Sequence, residues 1–443
     1  MEELIKKYNV PGPRYTSYPT VPYWENNIDV DQWAQHVQQA YAKNGSISLY
    51  VHLPFCESLC TYCGCNKRIT KNHKVEEPYI ETIIKEWQLY KTLLGERPKI
   101  STIHLGGGTP TFFSAENLKY LIDKLNEVGE ILPDAEMSFE AHPNSTTKEH
   151  LELLYESGFR RLSLGIQDFD IEVQRIVNRV QPFHIVKKVV DEAREVGYES
   201  INFDLIYGLP RQKPESIAYT FDLVNKLKPE RIAYYSYAHV PWVSPGQRSY
   251  TDKDLPNAEE KLKLYLTGKK LLTDSGYLEI GMDHFSLPQD DLYTASQDGR
   301  LHRNFMGYTT DNSELSIGLG VSAIGDTFTA FAQNVKVVEE YQEQVNQGNI
   351  PLLRGHVLDE EDLQVRRVIL NMMCRMQAEW SNGLFEGVAD QLQEMLRDNL
   401  IELDANRITI KEEGRPFLRN ACMAFDKRLL RKQPDTNVFS ATI

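Results

Sequence analysis

Residues 46–67 read SISLYVHLPFCESLCTYCGCNK, an apolar strand-like run that leads directly into Cys56, Cys60 and Cys63 in a C-x-x-x-C-x-x-C spacing. Three thiolates are one too few for a closed four-coordinate set. A four-iron cluster held by four protein sulfurs is coordinatively complete and suits electron transfer, whereas one held by three leaves an iron open to a ligand. Open metal positions are where metal chemistry takes place. Cys65 follows Cys63 too tightly to reach the remaining iron of the same cube, so it is read as a neighbour of the site. A zinc knob using all four thiols is the alternative, but the separated C-x-x-C or Cys/His pairs of structural zinc are missing from the chain.

Downstream of this stretch, short apolar strands alternate with amphipathic helices. Ile80, Ile83, Ile84, Trp87 and Leu94 recur at helical spacing, and the strand ISTIHL then runs into Gly106, Gly107 and Gly108. Ser114 is placed to cap a helix carrying Leu118, Leu121, Ile122 and Leu125. EMSFEA is the third strand. Thr146 and Glu149 have capping-box spacing for a helix that should stop at Gly158, before the strand RRLSLGIQ. A helix over 184–196, the strand ESINFDLIYG, a helix opened by Pro214 and the strand RIAYYSYA complete six βα repeats. Such a rhythm predicts a parallel sheet. In parallel barrels the active site lies at the carboxyl ends of the strands. The cysteine loop, GGGTP, Glu140, Gln167, Asp204 and Ala238 with His239 all fall at or near those ends.

Length, charge and cysteine use narrow the class. The 443 residues, 41% hydrophobic and 25% charged, describe a soluble globular protein without an apolar run long enough to span a membrane. MEELIKKYNVPGPRY lacks the apolar core of a signal peptide. Four of the six cysteines crowd into ten residues, which does not suit a secreted disulfide framework and points to the reducing cytoplasm. The net charge of −14 argues against a nucleic-acid partner and requires any anionic substrate to be met by locally placed Arg or Lys.

CESLCTYC with GGGTP resembles the radical S-adenosylmethionine superfamily. Within it, PGPRYTSYPT, YVHLPFC, CGCNK, SLGIQDF, VNR, DLIYGLP, GMDHF, HRNFMGYTT and ACMAFD, in that order, are similar to the oxygen-independent coproporphyrinogen III oxidase (dehydrogenase) family. The resemblance runs nearly end to end. It implies an α/β fold, a partial (β/α)6 barrel of the radical SAM type over 41–355, preceded by an arm and lead-in over 1–40. A C-terminal, mainly helical, winged-helix-like domain over 356–443 follows. It also implies a [4Fe-4S] cluster and two molecules of S-adenosylmethionine. The activity implied is conversion of two propionates of coproporphyrinogen III to vinyl groups through a 5'-deoxyadenosyl radical, giving protoporphyrinogen IX, with an electron donor to the cluster and an electron acceptor. The enzyme is expected to be a cytoplasmic monomer.

Residue by residue, Cys56, Cys60 and Cys63 match the cluster ligands. Tyr50, Gly107, Glu140 and Ile324 match positions contacting the first S-adenosylmethionine, with Tyr50 and Glu140 also taken as catalytic. Tyr62, Gly108, Thr109, Gln167, Arg179, Asp204 and Ala238 match positions holding a second. Tyr62 departs from the family's phenylalanine and keeps an aromatic face. Arg179 can pair with a carboxylate and Asp204 can accept from an ammonium or a ribose hydroxyl.

The Pro/Tyr-rich segment PGPRYTSYP reads as an ordered arm, against the alternative of a disordered leader. Arg14 in that segment and Arg303 in LHRNF are the candidate cations for substrate carboxylates. Cys374 and Cys422 read as buried core thiols. From 356 onward, a helix capped by Asp359, a second helix ending near Leu400, the hairpin LIELD/RITIK and a helix over EGRPFLRNACMAFD form the winged pattern. With no basic recognition helix, it reads as a cover for the barrel and not as a DNA reader. A haem-binding chaperone and a radical enzyme that modifies haem are the alternative functions. The Cys65 context, the arm and the set Arg179, Gln167 and Asp204 speak against the chaperone.

Overall fold

The computed structural model describes residues 2–431 except 27, 243, 382 and 384, together with 439 and 442. The chain forms two compact units, one of residues 25–257 and 313–357, the other of 1–24, 258–312 and 358–443.

The first unit is the barrel. After a short edge strand, Glu25–Asn26, it runs through helix α1 (Val30–Asn44), β1 (Ile47–Leu53), α2 (Glu76–Leu94), β2 (Lys99–Gly107), α3 (Ala115–Val128), β3 (Glu130–Ala141) and α4 (Lys148–Glu156). Then follow β4 (Arg161–Gln167), α5 (Phe183–Val196), β5 (Ser200–Tyr207), α6 (Pro214–Leu227) and β6 (Arg231–Ser236). The six strands pair in parallel in chain order, which gives a partial (β/α)6 barrel. Local chemistry sets the helix ends. Ser114 accepts the amide of Asn117 at 3.2 Å, and Gly197, at φ 116°, takes the left-handed turn that ends α5.

One cap differs from expectation. Thr147, not Thr146, caps α4, with His150 where a Glu is usual. The Nε2–H of His150 donates to the Phe113 carbonyl at 2.8 Å, which leaves Nδ1 as the acceptor for the Thr147 amide. Thr146 instead donates to the His142 carbonyl at 2.9 Å.

Strand alternation sorts the side chains. Leu49, Val51 and Leu53 of β1, Ile103 and Leu105 of β2, Phe139 of β3, and Leu162 and Leu164 of β4 are buried, each contributing about 1.5–3 kcal/mol of burial free energy. The intervening residues form the polar face. Tyr50 stands beside His104 and His104 beside Ser138, while Glu140 stands beside Ser163 and Ser163 beside Asn202. Beyond the six repeats, β7 (Ser316–Leu319) adds in parallel to the free edge of β1, and β8 (Ile324–Asp326), β9 (Ala330–Asn334) and β10 (Leu352–Val357) continue antiparallel. These strands are short and all but β9 are interrupted by a glycine, so periodicity in the sequence did not reveal them.

In the second unit, Asp359 accepts the Asp362 amide at 2.8 Å and caps the helix Glu360–Arg375. The hairpin Ile401–Asp404/Arg407–Ile410 gains a third strand, Gln377–Glu379, and completes the wing. The segment expected as one helix from Glu413 divides into a 3-10 turn over Glu412–Phe417 and a helix over Leu418–Met423, because Pro416 interrupts it. Ile5, Tyr8, Tyr15 and Tyr18 of the N-terminal arm lie in the same apolar core as Val365, Met372 and Phe417.

Candidate active site

Four loops converge at the carboxyl ends of the barrel strands, those after β1, β2, β4 and β6. The cysteine loop leaves β1, and its Thr61 amide donates to the Val177 carbonyl at 3.0 Å while Asn178 Nδ2 donates to the Leu59 carbonyl at 2.8 Å. On its far side Ser244 donates to the Cys63 carbonyl, and Lys67 donates to the carbonyls of Cys63 and Cys65 at 3.1 and 3.2 Å. All six cysteines are unbridged, with Cys60 buried, Cys56 and Cys63 partly so, and Cys65 exposed. Thr109 lies 3.3 Å from the Cys56 sulfur and Arg179 Nη1 3.4 Å from the Cys60 sulfur. Cys374 and Cys422 are buried in the second unit, as expected.

The glycine loop after β2 approaches this loop at backbone distance. The Gly108 amide donates to the Leu53 carbonyl at 2.8 Å, and a Cβ at Gly108 would fall 2.4 Å from the Pro54 oxygen. Gly107 sits at φ 118°, where a Cβ would meet the His52 ring at 2.8 Å. Only glycine satisfies both demands at Gly107. Its amide donates to Glu140 at 3.2 Å.

Around Glu140 the polar face forms an ordered chain. His104 accepts from or donates to Ser138 at 2.8 Å, places Nε2 3.6 Å from Glu140 and stacks on Tyr50 at 6.0 Å between centroids. Tyr50 meets His52 Nδ1 at 2.9 Å, and His52 Nε2 meets the Asn66 carbonyl at 3.0 Å. That carbonyl can only accept, so His52 carries its proton on Nε2 and takes the Tyr50 hydroxyl on Nδ1. Burial holds His52 below its ordinary range, in the neutral form. Burial opposes ionisation of Glu140, yet His104, the Gly107 amide and His52 outweigh it and keep the carboxyl below the usual range. The Glu140 side chain is enclosed by the barrel while 45% of its surface stays accessible, so it faces open space within the barrel.

The other candidates fall on the adjoining strands. Gln167 ends β4 at φ 67°, and a Cβ at Gly165 would touch both Gln167 and Arg179. Arg179 Nη2 donates to the Gly165 carbonyl at 2.6 Å, while its Nε is buried with no acceptor among the described residues. Asp204 accepts from Asn202 at 2.9 Å and Ser163 at 3.2 Å. Burial, then the charge of Glu140, push Asp204 up to about 6. Tyr62 packs near Val173, Val177 and Tyr250, and Gln247 ties the Tyr62 and Ala238 carbonyls together at 3.2 Å each. Ile324 abuts the backbone at Gly318, which is the register partner of Tyr50. Thus the barrel unit gathers the expected set, whereas Arg14 and Arg303 lie in the second unit.

Sequence reading missed His104, Gln181 and Gln247. His104 was available from the alternation in ISTIHL, which turns it to the same face as Tyr50. Gln181, fully buried, donates to the carbonyls of Gly165 and Ile166, and Gln247 bridges two loops; neither belongs to a local pattern.

The donor set suits its implied ligands. Three unbridged thiols, together with glycines that admit close approach, suit an iron–sulfur cluster, and no group of three His, Cys, Asp or Glu among the described residues is arranged for a single metal ion. Two enclosed carboxylates that repel one another, beside a guanidinium with an unpaired donor, suit a ligand carrying both cationic groups and a carboxylate.

Residues 50–224 match the Radical SAM superfamily. The oxygen-independent coproporphyrinogen III oxidase of Escherichia coli (strain K12) is 39% identical over 439 residues, covering 97% of this chain and 95% of that protein. This chain belongs to the oxygen-independent coproporphyrinogen III oxidase family. The family relative of Synechocystis sp. is 34% identical, covering 100% of this chain and 97% of its own. The solved structure of coproporphyrinogen III oxidase from Escherichia coli, described as a radical SAM enzyme, superposes with a TM-score of 0.91 at 38% identity, covering 97% of this chain and 99% of that one. Family membership makes the barrel a radical SAM barrel and the protein an oxidoreductase.

Proposed function

We propose that the protein oxidatively decarboxylates two propionate side chains of coproporphyrinogen III to vinyl groups in haem biosynthesis. The observation that carries this reading is the full-length family match joined to three unbridged thiols at the carboxyl rim of the barrel. The [4Fe-4S] cluster and S-adenosylmethionine, when bound, supply one-electron chemistry able to take a hydrogen atom from an unactivated carbon. Cys56, Cys60 and Cys63 hold the cluster, and Arg179 and Thr109 lend positive charge and a hydrogen bond to their sulfurs.

Tyr50, Gly107, Glu140 and Ile324 hold the first S-adenosylmethionine. Here Glu140, kept ionised by His104, meets a cationic group, and Tyr50, half-buried and stacked on His104, bars water from that face. Tyr62, Gly108, Thr109, Gln167, Arg179, Asp204 and Ala238 hold a second. A cation beside Asp204 relieves its repulsion by Glu140. The Nε of Arg179 gains the acceptor it lacks, and Arg14 and Arg303 meet substrate carboxylates. An electron donor and an acceptor complete the turnover of a cytoplasmic monomer. Among the described residues, no helix is long and apolar enough to cross a membrane.

Replacing Arg179 with Ala removes a charge-assisted contact of about 1.5–3 kcal/mol, which corresponds to roughly ten- to a hundredfold weaker binding of the second S-adenosylmethionine. Equilibrium dialysis of reconstituted protein should find two equivalents in the wild type and one in the variant at a ligand concentration that saturates the first site. One equivalent in both proteins refutes the second site. The test of the whole reading is anaerobic incubation of the reconstituted enzyme with coproporphyrinogen III, S-adenosylmethionine and a low-potential reductant. Two carbon dioxide per substrate and a divinyl product are expected. Tight haem binding without carbon dioxide release would favour the chaperone, and an altered haem the modifying enzyme.

A further inference from the structure

Arg303 lies on a two-stranded ribbon, His302–Asn304 with Gly307–Thr309, directly opposite Tyr308. Its guanidinium rests 4.7 Å from the centre of the Tyr308 ring, and Tyr308 is itself tethered by its hydroxyl to the Met373 carbonyl at 2.8 Å. Arg303 is 6% exposed. Its Nη2 reaches only the Arg14 carbonyl, at 3.5 Å, and Nε and Nη1 have no acceptor among the described residues. A buried guanidinium with two unused donors is destabilising unless something else accepts from them. The aromatic face beneath it attracts the charge but takes neither hydrogen bond.

Other cations lie close by in the same unit. Arg14 forms an ion pair with Asp283, and Lys261 is repelled by Arg14 and Arg419 while attracted by Asp283. Burial first, then those guanidinium groups, push Lys261 down to about 8. Arg419 is committed to the carbonyls of Gly12 and Pro13. Asp283 sits on a tight turn. Met282 before it has φ 43°, and a Cβ at Gly281 would lie 2.4 Å from the Tyr308 hydroxyl, so the turn carrying the acid is packed against the tyrosine that carries Arg303.

We propose that Arg303, Lys261 and Arg14 form a receptor for a carboxylate, in which Asp283 holds Arg14 until a ligand carboxylate displaces it. The ligand carboxylate is a propionate of a tetrapyrrole, an identification that rests on the function proposed above. The receptor lies wholly within residues 1–24, 258–312 and 358–443. At the receptor itself three cations share one acid, Asp283, in a chain whose net charge of −14 otherwise repels a tetracarboxylate. Exchange of one carboxylate for another keeps Arg14 paired both before and after binding, and Lys261, which attracts Asp283, stays beside the displaced acid.

The test is a fluorescence titration of the reconstituted holoenzyme with coproporphyrin III, the unreactive aromatic form, and in parallel with its tetramethyl ester. Arg303→Gln should weaken binding of the acid about ten- to a hundredfold and leave the ester unchanged. Asp283→Asn should tighten binding of the acid about threefold or more, a gain that misfolding cannot produce. Unchanged affinity for the acid in Arg303→Gln overturns the receptor. Unchanged or weaker affinity in Asp283→Asn overturns the exchange. Failure of the wild type to release carbon dioxide from coproporphyrinogen III, with the binding pattern intact, would overturn the proposed function and leave the receptor standing; turnover with affinity indifferent to both variants would do the reverse.

Discussion

Alanine at Cys56, Cys60 or Cys63 is expected to abolish cluster assembly and with it product formation, to below about a thousandth of wild type, equivalent to at least ~4 kcal/mol of lost transition-state stabilisation. Each thiol belongs to a loop pinned on several sides, by Val177, Asn178, Lys67 and Ser244, so no neighbouring sulfur can move in to replace it. Cys65 is exposed, and its carbonyl is held by Lys67. Its replacement should leave iron content near normal. Iron analysis and the charge-transfer absorption after anaerobic reconstitution read the outcome directly. Retention of the cluster in Cys60→Ala with loss in Cys65→Ala would reverse the ligand assignment. An iron without a protein ligand is open to oxidants, so exposure to air should bleach the wild-type cluster.

The second large effect concerns the arm. Deletion of residues 1–20 is expected to unfold the second unit and to leave the barrel and its cluster in place. Ile5, Tyr8, Tyr15 and Tyr18 are all buried there. At about 1.5–3 kcal/mol apiece their removal costs roughly 6–12 kcal/mol, comparable to the entire stability of a domain. Three further losses add to this. Arg419 loses the Gly12 and Pro13 carbonyls, Asp426 loses the Tyr15 hydroxyl at 3.0 Å, and Asp398 loses Tyr8 and Lys7.

Calorimetry should show one transition missing from the truncated protein. Proteolysis should cleave within 358–431, and iron content and substrate-free cleavage of S-adenosylmethionine should persist. A melting profile like that of the full chain, with loss confined to porphyrinogen turnover, would reduce the arm to a substrate contact. Retention of both stability and turnover would make it a dispensable leader.

The barrel was legible because its signals are local. Each strand of the βα repeats carries a run of apolar residues dense enough to stand out from the helices, and Gly197 and Pro214 mark helix boundaries through backbone constraints that act within one turn. The cap of α4 shows where this stops. Thr146 and Thr147 are both plausible caps, and the choice was made by the Phe113 carbonyl, 37 residues from His150. The strands β7 to β10 escaped notice for a related reason: three to six residues each, they are stabilised by pairing with β1 and one another and carry little pattern of their own.

By itself, then, the sequence determined the parallel βα architecture, the cysteine spacing that leaves one iron open, and the family, since all three are written in neighbouring residues. The tertiary structure decided which groups act on which. It set His104 against Glu140, brought Glu140 close enough to raise Asp204, and placed Arg179 beside Cys60, a residue 119 positions away. It also carried the first 24 residues to the core built by 358–431, and left Arg303 buried with donors to spare. Hydrogen bonds and charge interactions act over a few ångströms of space whatever the separation in sequence, and only the folded chain specifies those distances.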